Sequence, residues 1–166
     1  MLKIKTKSGR IMPLTLNDAQ RTFVREVFRQ IEAGKPVRII ILKARQMGFS
    51  TVTEALIYYF TSLQEAKNAF IVPQSSDASN NLYDMFQFYY EKVPAIIKPI
   101  SRKNNAKKLI FENPTIRTAD RRKNPGLKSK ITVQTAESRV LAREMRVPKG
   151  YKAFYWVYPY TNVKIM

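Results

Sequence analysis

Residues 39–51 read IIILKARQMGFST, and the reading of this stretch sets the reading of the chain. Val37 to Ile41 is a mostly β-branched run with Arg38 inside it, which predicts a buried strand. The run breaks into Lys43-Ala44-Arg45-Gln46-Met47-Gly48-Phe49-Ser50-Thr51. Val52, Ala55, Leu56, Tyr59, Phe60 and Leu63 then recur on one face and predict an amphipathic helix. A strand, a short basic loop with one glycine and a helix follow in the order of a phosphate-binding loop. Against G-x-x-x-x-G-K-[ST] the match is imperfect. Lys43 stands at the first glycine, Gly48 at the second, Phe49 at the lysine and Ser50 at the hydroxyl.

Such a loop needs small residues that let backbone N–H groups turn inward, a positive charge, and a hydroxyl that helps hold Mg2+. Gly48 supplies the close approach. Ser50, with Thr51, supplies the hydroxyl at the helix start, where the macrodipole also favours anions. Phe49 cannot replace a lysine, so the charge falls to Lys43 or Arg45 on the entering side. The competing reading of the same residues is an ordinary strand-to-helix turn, with Gly48 preceding a Ser50 N-cap.

Outward from the loop, residues 1–15 read as a short basic lead or strand ending near Pro13. Asn17 is a good N-cap, Gln20 falls three residues later and Asp18 suits a first turn, so a helix opens here. Phe23, Val24, Val27, Phe28 and Ile31 continue it until Gly34 and Pro36. Asn68 to Val72, closed by Pro73, predicts a second strand. Ser76 or Asp77 caps a further helix whose stripe of Leu82, Met85, Phe86, Tyr89, Tyr90 and Val93 reads as core packing, stopped by Pro94. Leu109-Ile110-Phe111 and Thr115-Ile116-Arg117 flank Asn113-Pro114 as a hairpin; Arg121 to Gly126 is a basic turn, and Lys130 to Thr135 a strand. The alternation from 16 to 93 predicts an α/β fold, a partial parallel sheet flanked by helices, with the hairpin as an elaboration.

The 166 residues, 45% of them hydrophobic, suit one domain with a real core. There is no cysteine and no histidine, which removes disulfides, thiolate metal sites and the usual general base. The cysteine count suits a reducing cytoplasm. No apolar run approaches the roughly 20 residues of a membrane helix, and the first ten residues lack a signal peptide's apolar core. A soluble, unexported protein is expected. The net charge is +18, and residues 92–152 hold 17 Lys and Arg against 4 Asp and Glu, so +13 of it sits there. A field of that sign draws polyanions, nucleic acid first among them.

The pattern K-x-R-Q-x-G-x-S-T after an aliphatic strand resembles the deviant Walker A of the large terminase subunits, the ATPases that drive DNA into tailed-phage heads. In that family the lysine stands at the front of the loop, where this chain has Lys43. Gln20 resembles the family's adenine-contacting glutamine, with a plain capping-box role as the other reading. Residues 71–94, the stretch Phe111 to Ile116 and the stretch Ile131 to Ala136 are similar to later parts of the same ATPases. The similarity spans about 16–140, leaving 1–15 as the lead and 141–166 as an atypical basic and aromatic tail.

The resemblance implies a P-loop NTPase-like fold with ATP and Mg2+ as cofactors. Lys43 would meet the β- and γ-phosphates, Gly48 would admit them, and Ser50 and Thr51 would serve Mg2+ and phosphate. Arg45 and Gln46 would set loop shape or inter-subunit sensing. It further implies double-stranded DNA, a portal protein and a small terminase subunit as partners, in a bacterial host's cytoplasm. The departures are equally specific. The family's aliphatic strand ending in Asp-Glu is missing; the run Tyr151 to Tyr158 ends in Pro159-Tyr160, and no Asp or Glu follows Glu144. Without those acids the chain is expected to cradle a nucleotide and not to hydrolyse it alone. It reads as a large subunit truncated before Walker B and the nuclease domain, or as a short form completed by a second polypeptide. A sheet lacking that strand is expected to leave an uncovered edge. The alternative from another class is a non-enzymatic basic DNA-binding protein with a structural strand-turn-helix.

Overall fold

The computed structural model describes residues 2–6, 8–35, 37–41, 47–73, 75–102 and 107–135, together with the backbone of strands 152–157 and 163–165. The chain opens on a two-stranded antiparallel hairpin, β1 (Lys3–Lys5) and β2 (Ile11–Pro13), with Lys3 opposite Pro13. Leu2, Ile4 and Leu14 fold back onto the main core, so the basic lead is tied down by its apolar residues. Helix α1 (Asp18–Glu32) begins at the expected Asn17 cap and closes on Ala33, with Gly34 in the left-handed region just beyond.

The main sheet is mixed and has six described strands in the order β3-β8-β7-β4-β6-β5. These are β3 (Ile39–Ile41), β4 (Lys67–Val72), β5 (Lys108–Glu112), β6 (Gly126–Val133), β7 (Lys152–Val157) and β8 (Val163–Ile165). Strands β6 and β7 run parallel to β4, and β3 shares their direction because β8 lies antiparallel to both β3 and β7. Four strands therefore run one way and two the other. β3 is shorter than expected and lies at the sheet's edge. Ile41 is buried while Ile40 is 71% exposed, so the strand is not buried on both faces.

Helices α2 (Phe49–Leu63) and α3 (Ser76–Lys92) pack on the sheet, and α1 joins the same core through Phe23 and Val27. Strand alternation decides which residues meet them. Ala69 and Ile71 of β4, Leu109 and Phe111 of β5, and Ile131 and Val133 of β6 share one core with Phe23 and Val27 of α1, Val52 and Tyr58 of α2, and Phe86 and Tyr89 of α3. Full burial of such a side chain stabilises by about 1.5–3 kcal/mol. The stripe expected on α3 packs inward as core; its cap is Ser75, whose hydroxyl accepts from the Ala78 N–H.

Four expectations need correction. Thr115-Ile116-Arg117 is not a strand. The Asn113 carboxamide accepts from the Thr115 N–H at 2.9 Å and donates to the Asn124 carbonyl at 2.9 Å, so Asn113-Pro114 turns the chain outward and Ile116 stands exposed. β5 pairs antiparallel with β6 instead, and the basic turn is largely a short helix, α4 (Thr118–Lys123), in their connection. Gly126 closes this ribbon at φ +75°, where a Cβ would come within 2.9 Å of Glu112 Cα. On α2 Val52, Ala55 and Phe60 of the expected face are buried, but Tyr59 and Leu63 are exposed and Ile57, Tyr58 and Thr61 are buried as well. Finally, β7 lies along β4 with Lys67 opposite Lys152 and Val72 opposite Val157, so the edge expected to be bare is taken by the tail.

Candidate functional site

Lys43, Arg45 and Gln46 lie outside the described residues. The structure does describe both flanks of the loop. Ile41 delivers the chain from β3, and Met47 and Gly48 lead it into α2. Gly48 is the N-cap of α2 at φ +68°, ψ +17°, which corrects the Ser50 N-cap of the turn reading. An L-residue there carries a strain of about 1–3 kcal/mol. Crowding adds to it, because a Cβ on Gly48 would sit 2.6 Å from Gln20 Nε2.

Gln20 explains that crowding. Its Oε1 accepts from the Asn17 N–H at 3.1 Å, and Asn17 Oδ1 accepts from the Gln20 N–H at 2.9 Å, a complete capping box. Its Nε2 donates to the Met47 carbonyl at 3.1 Å. Gln20 is buried, and both ends of its amide are engaged by the protein. Beside it Phe23 packs edge-on against Phe49, ring centres 5.8 Å apart. The start of α1 thus braces the start of α2.

The first turn of α2 carries no side-chain cap and no acidic residue. A helix leaves its first N–H groups without intrahelical partners, and the macrodipole places partial positive charge on them. Ser50 and Thr51 are half-buried on this turn. From the other side, the Tyr89 hydroxyl of α3 donates to the Thr51 carbonyl at 3.2 Å. Burial, and secondarily Glu54, push the Tyr89 phenol upward, so it remains a neutral donor. Gly48 and a helix start without a side-chain cap leave backbone N–H groups of the kind that hold phosphate oxygens, with Ser50 and Thr51 on the same turn. For Mg2+ the fit is confined to the Ser50 or Thr51 hydroxyl, since among the described residues no group of three or more acidic, cysteine or histidine side chains is placed to hold a metal.

Sequence reasoning passed over Glu54. It sits one turn beyond Ser50, fully buried, and neither carboxyl oxygen has a hydrogen-bond partner. Burial raises its pKa well above the ordinary carboxylate range, which favours the protonated form. An acid interrupting the apolar run of Val52, Ala55 and Tyr58 was the available signal.

A second cluster lies at the far edge of the sheet, where Thr118, Arg121, Arg122, Pro125, Lys128 and Glu112 line an open cleft. Arg121 reaches Glu112 at 3.6 Å, with both side chains partly exposed. The +13 segment read from the sequence contributes this surface.

No protein-family model matches the chain, and no curated protein matches it. What the geometry defines is a mixed α/β protein with a helix start capped by Gly48 and by no side chain. No helix among the described residues is long and apolar enough to cross a membrane.

Proposed function

We propose that this chain is the ATP-binding portion of a tailed-phage terminase large subunit, with a P-loop NTPase-like fold. The observation that carries the reading is the junction at Gly48. A left-handed glycine passes directly from a basic loop into a helix whose first turn has neither a side-chain cap nor an acid. In this reading Lys43 neutralises the β- and γ-phosphates, and Gly48 and the first amides of α2 cradle them. Ser50 and Thr51 serve phosphate and Mg2+, while Arg45 and Gln46 shape the loop. When bound, Mg-ATP supplies the phosphoryl group whose transfer powers such motors. Hydrolysis also requires carboxylates that bind the metal and orient water, and no Asp or Glu follows Glu144.

Titration of the purified chain with Mg-ATP, followed by thermal melting, tests this. Saturation at a hundred times Kd should stabilise by about 2.7 kcal/mol, and Lys43→Ala should abolish the shift. Binding that survives Lys43→Ala unchanged overturns the assignment. Steady ATP turnover by this chain alone contradicts the missing catalytic acids.

The basic cleft of Arg121, Arg122 and Lys128 favours a second component, contact with the backbone of double-stranded DNA. In the terminase reading the cleft accompanies nucleotide binding, together with a portal protein and small subunit as partners. In the competing reading, a non-enzymatic DNA-binding protein, DNA affinity is present and Mg-ATP gives no thermal protection.

A further inference from the structure

The resemblance assigns Gln20 to an adenine base, but the amide that would read the base is already committed. Oε1 accepts from the Asn17 N–H, Nε2 donates to the Met47 carbonyl, and the residue is 7% exposed. A side-chain amide recognises adenine by offering one donor and one acceptor together; here each faces protein backbone. The Gly48 position adds an independent constraint, because Gln20 Nε2 occupies the space that a Cβ on Gly48 would need. We infer that Gln20 is a positioning residue, a latch between the capping box of α1 and the Met47-Gly48 end of the loop. It fixes the start of α2 for a polyphosphate and does not read the base.

The physical argument concerns what sets the direction of α2's free amides. Gly48 has the widest backbone freedom of any residue, so its left-handed conformation must be imposed from outside. Three contacts do so: the Gln20 bond to Met47, the Phe23–Phe49 packing, and the Tyr89 bond to Thr51. Among the described residues, the first acts on the loop side of the glycine. Gln20 is in turn held by the first turn of α1, so its rotamer is fixed before any ligand arrives. Preorganisation of this kind lowers the ordering cost of binding for every ligand that shares the phosphate chain, whatever its base. This role rests on the phosphate-binding reading above.

Two measurements test it separately from that reading. The first compares Kd for Mg-ATP, Mg-GTP and inorganic tripolyphosphate in the wild-type chain, Gln20→Ala and Gln20→Glu, at a temperature where all three are folded. Gln20→Glu keeps an acceptor for the Asn17 N–H and loses the donor to Met47. Both variants should weaken all three ligands by a similar factor, on the order of tenfold for loss of about 1.4 kcal/mol. Weakening confined to ATP, with tripolyphosphate unchanged, overturns the latch in favour of base recognition. The second needs no ligand: melting of Gln20→Ala, Gly48→Ala and the double variant. Gly48→Ala should lower the melting temperature less in the Gln20→Ala background, because the amide it collides with is gone. Strict additivity of the two substitutions overturns the latch. If the wild-type chain binds none of the three ligands, the phosphate reading fails, and the melting cycle alone decides whether the latch exists.

Discussion

Glu54 is the residue whose chemistry departs furthest from its usual behaviour. A buried, unpaired carboxylate costs several kcal/mol, so the folded protein keeps the proton that an unfolded chain releases near its ordinary pKa of 4.5. The sign follows. The folded state binds the proton more tightly, so Glu54's contribution is fully present below about pH 4.5 and is lost as pH rises through the raised folded value. Between those limits stability should fall with rising pH. Glu54→Gln removes the titrating group at nearly constant volume and should flatten that slope. In melting experiments from pH 4.5 upward, the variant's advantage over wild type should therefore grow with pH. Parallel curves for the two proteins would show that the carboxyl is ionised or compensated in the fold. Tyr89 stands close enough to feel this group, and its hydroxyl donates to the Thr51 carbonyl. Tyr89→Phe should cost about 1–3 kcal/mol, since the ring packing survives and a carbonyl beside the helix start loses its donor. Urea titration measures it, and a change within experimental error would mean that solvent reaches the carbonyl.

At the level of elements, the helices bounded by local chemistry were legible in the sequence and the long-range pairings were not. The α1 cap rests on residues three apart, so Asn17 and Gln20 announce it directly. Asn17→Ala should lower stability by about 1 kcal/mol, read from chemical denaturation, with the largest helix loss at the start of α1. An unchanged midpoint would indicate that the Gln20 bonds alone hold the cap. The stripe on α3 was equally readable because one side of that helix faces the core and the other faces solvent. α2 defeated the same rule. Phe28 of α1 packs on Tyr59 and Phe60, while Tyr58 meets Tyr89 of α3 and Phe111 of β5, so α2 is clasped from several sides and has no single apolar stripe. The partner of β5 was also hidden. Leu109 pairs with Ile131 across α4, and no feature of residues 109–117 records that separation. The same holds at the site. Gly48 and Ser50 are visible as a motif, but the Gln20 bond to Met47 joins residues 27 apart and emerges only from the packing of α1 on α2.

For the whole molecule the governing quantity is charge. At +18 over 166 residues the chain attracts any polyanion at long range, so affinity for DNA by itself carries little information about a specific surface. The salt dependence carries more. Each phosphate neutralised contributes about 0.9 to the slope of log K against log salt, and a contact surface is identified by the side chains whose removal lowers that slope. The cleft beside α4 offers one surface to test, because Arg122 and Lys128 line it together with Arg121, which is partly engaged by Glu112. Replacing Arg122 and Lys128 by Gln should lower the slope by about 2 and weaken two unrelated duplex sequences equally. Arg121→Gln should lower it by less than either, because Glu112 already offsets part of that charge. Fluorescence anisotropy with labelled duplexes between low and physiological salt measures all three. An unchanged slope would place the phosphate contacts elsewhere in the basic segment, and a loss confined to one duplex would indicate base contacts instead of backbone neutralisation.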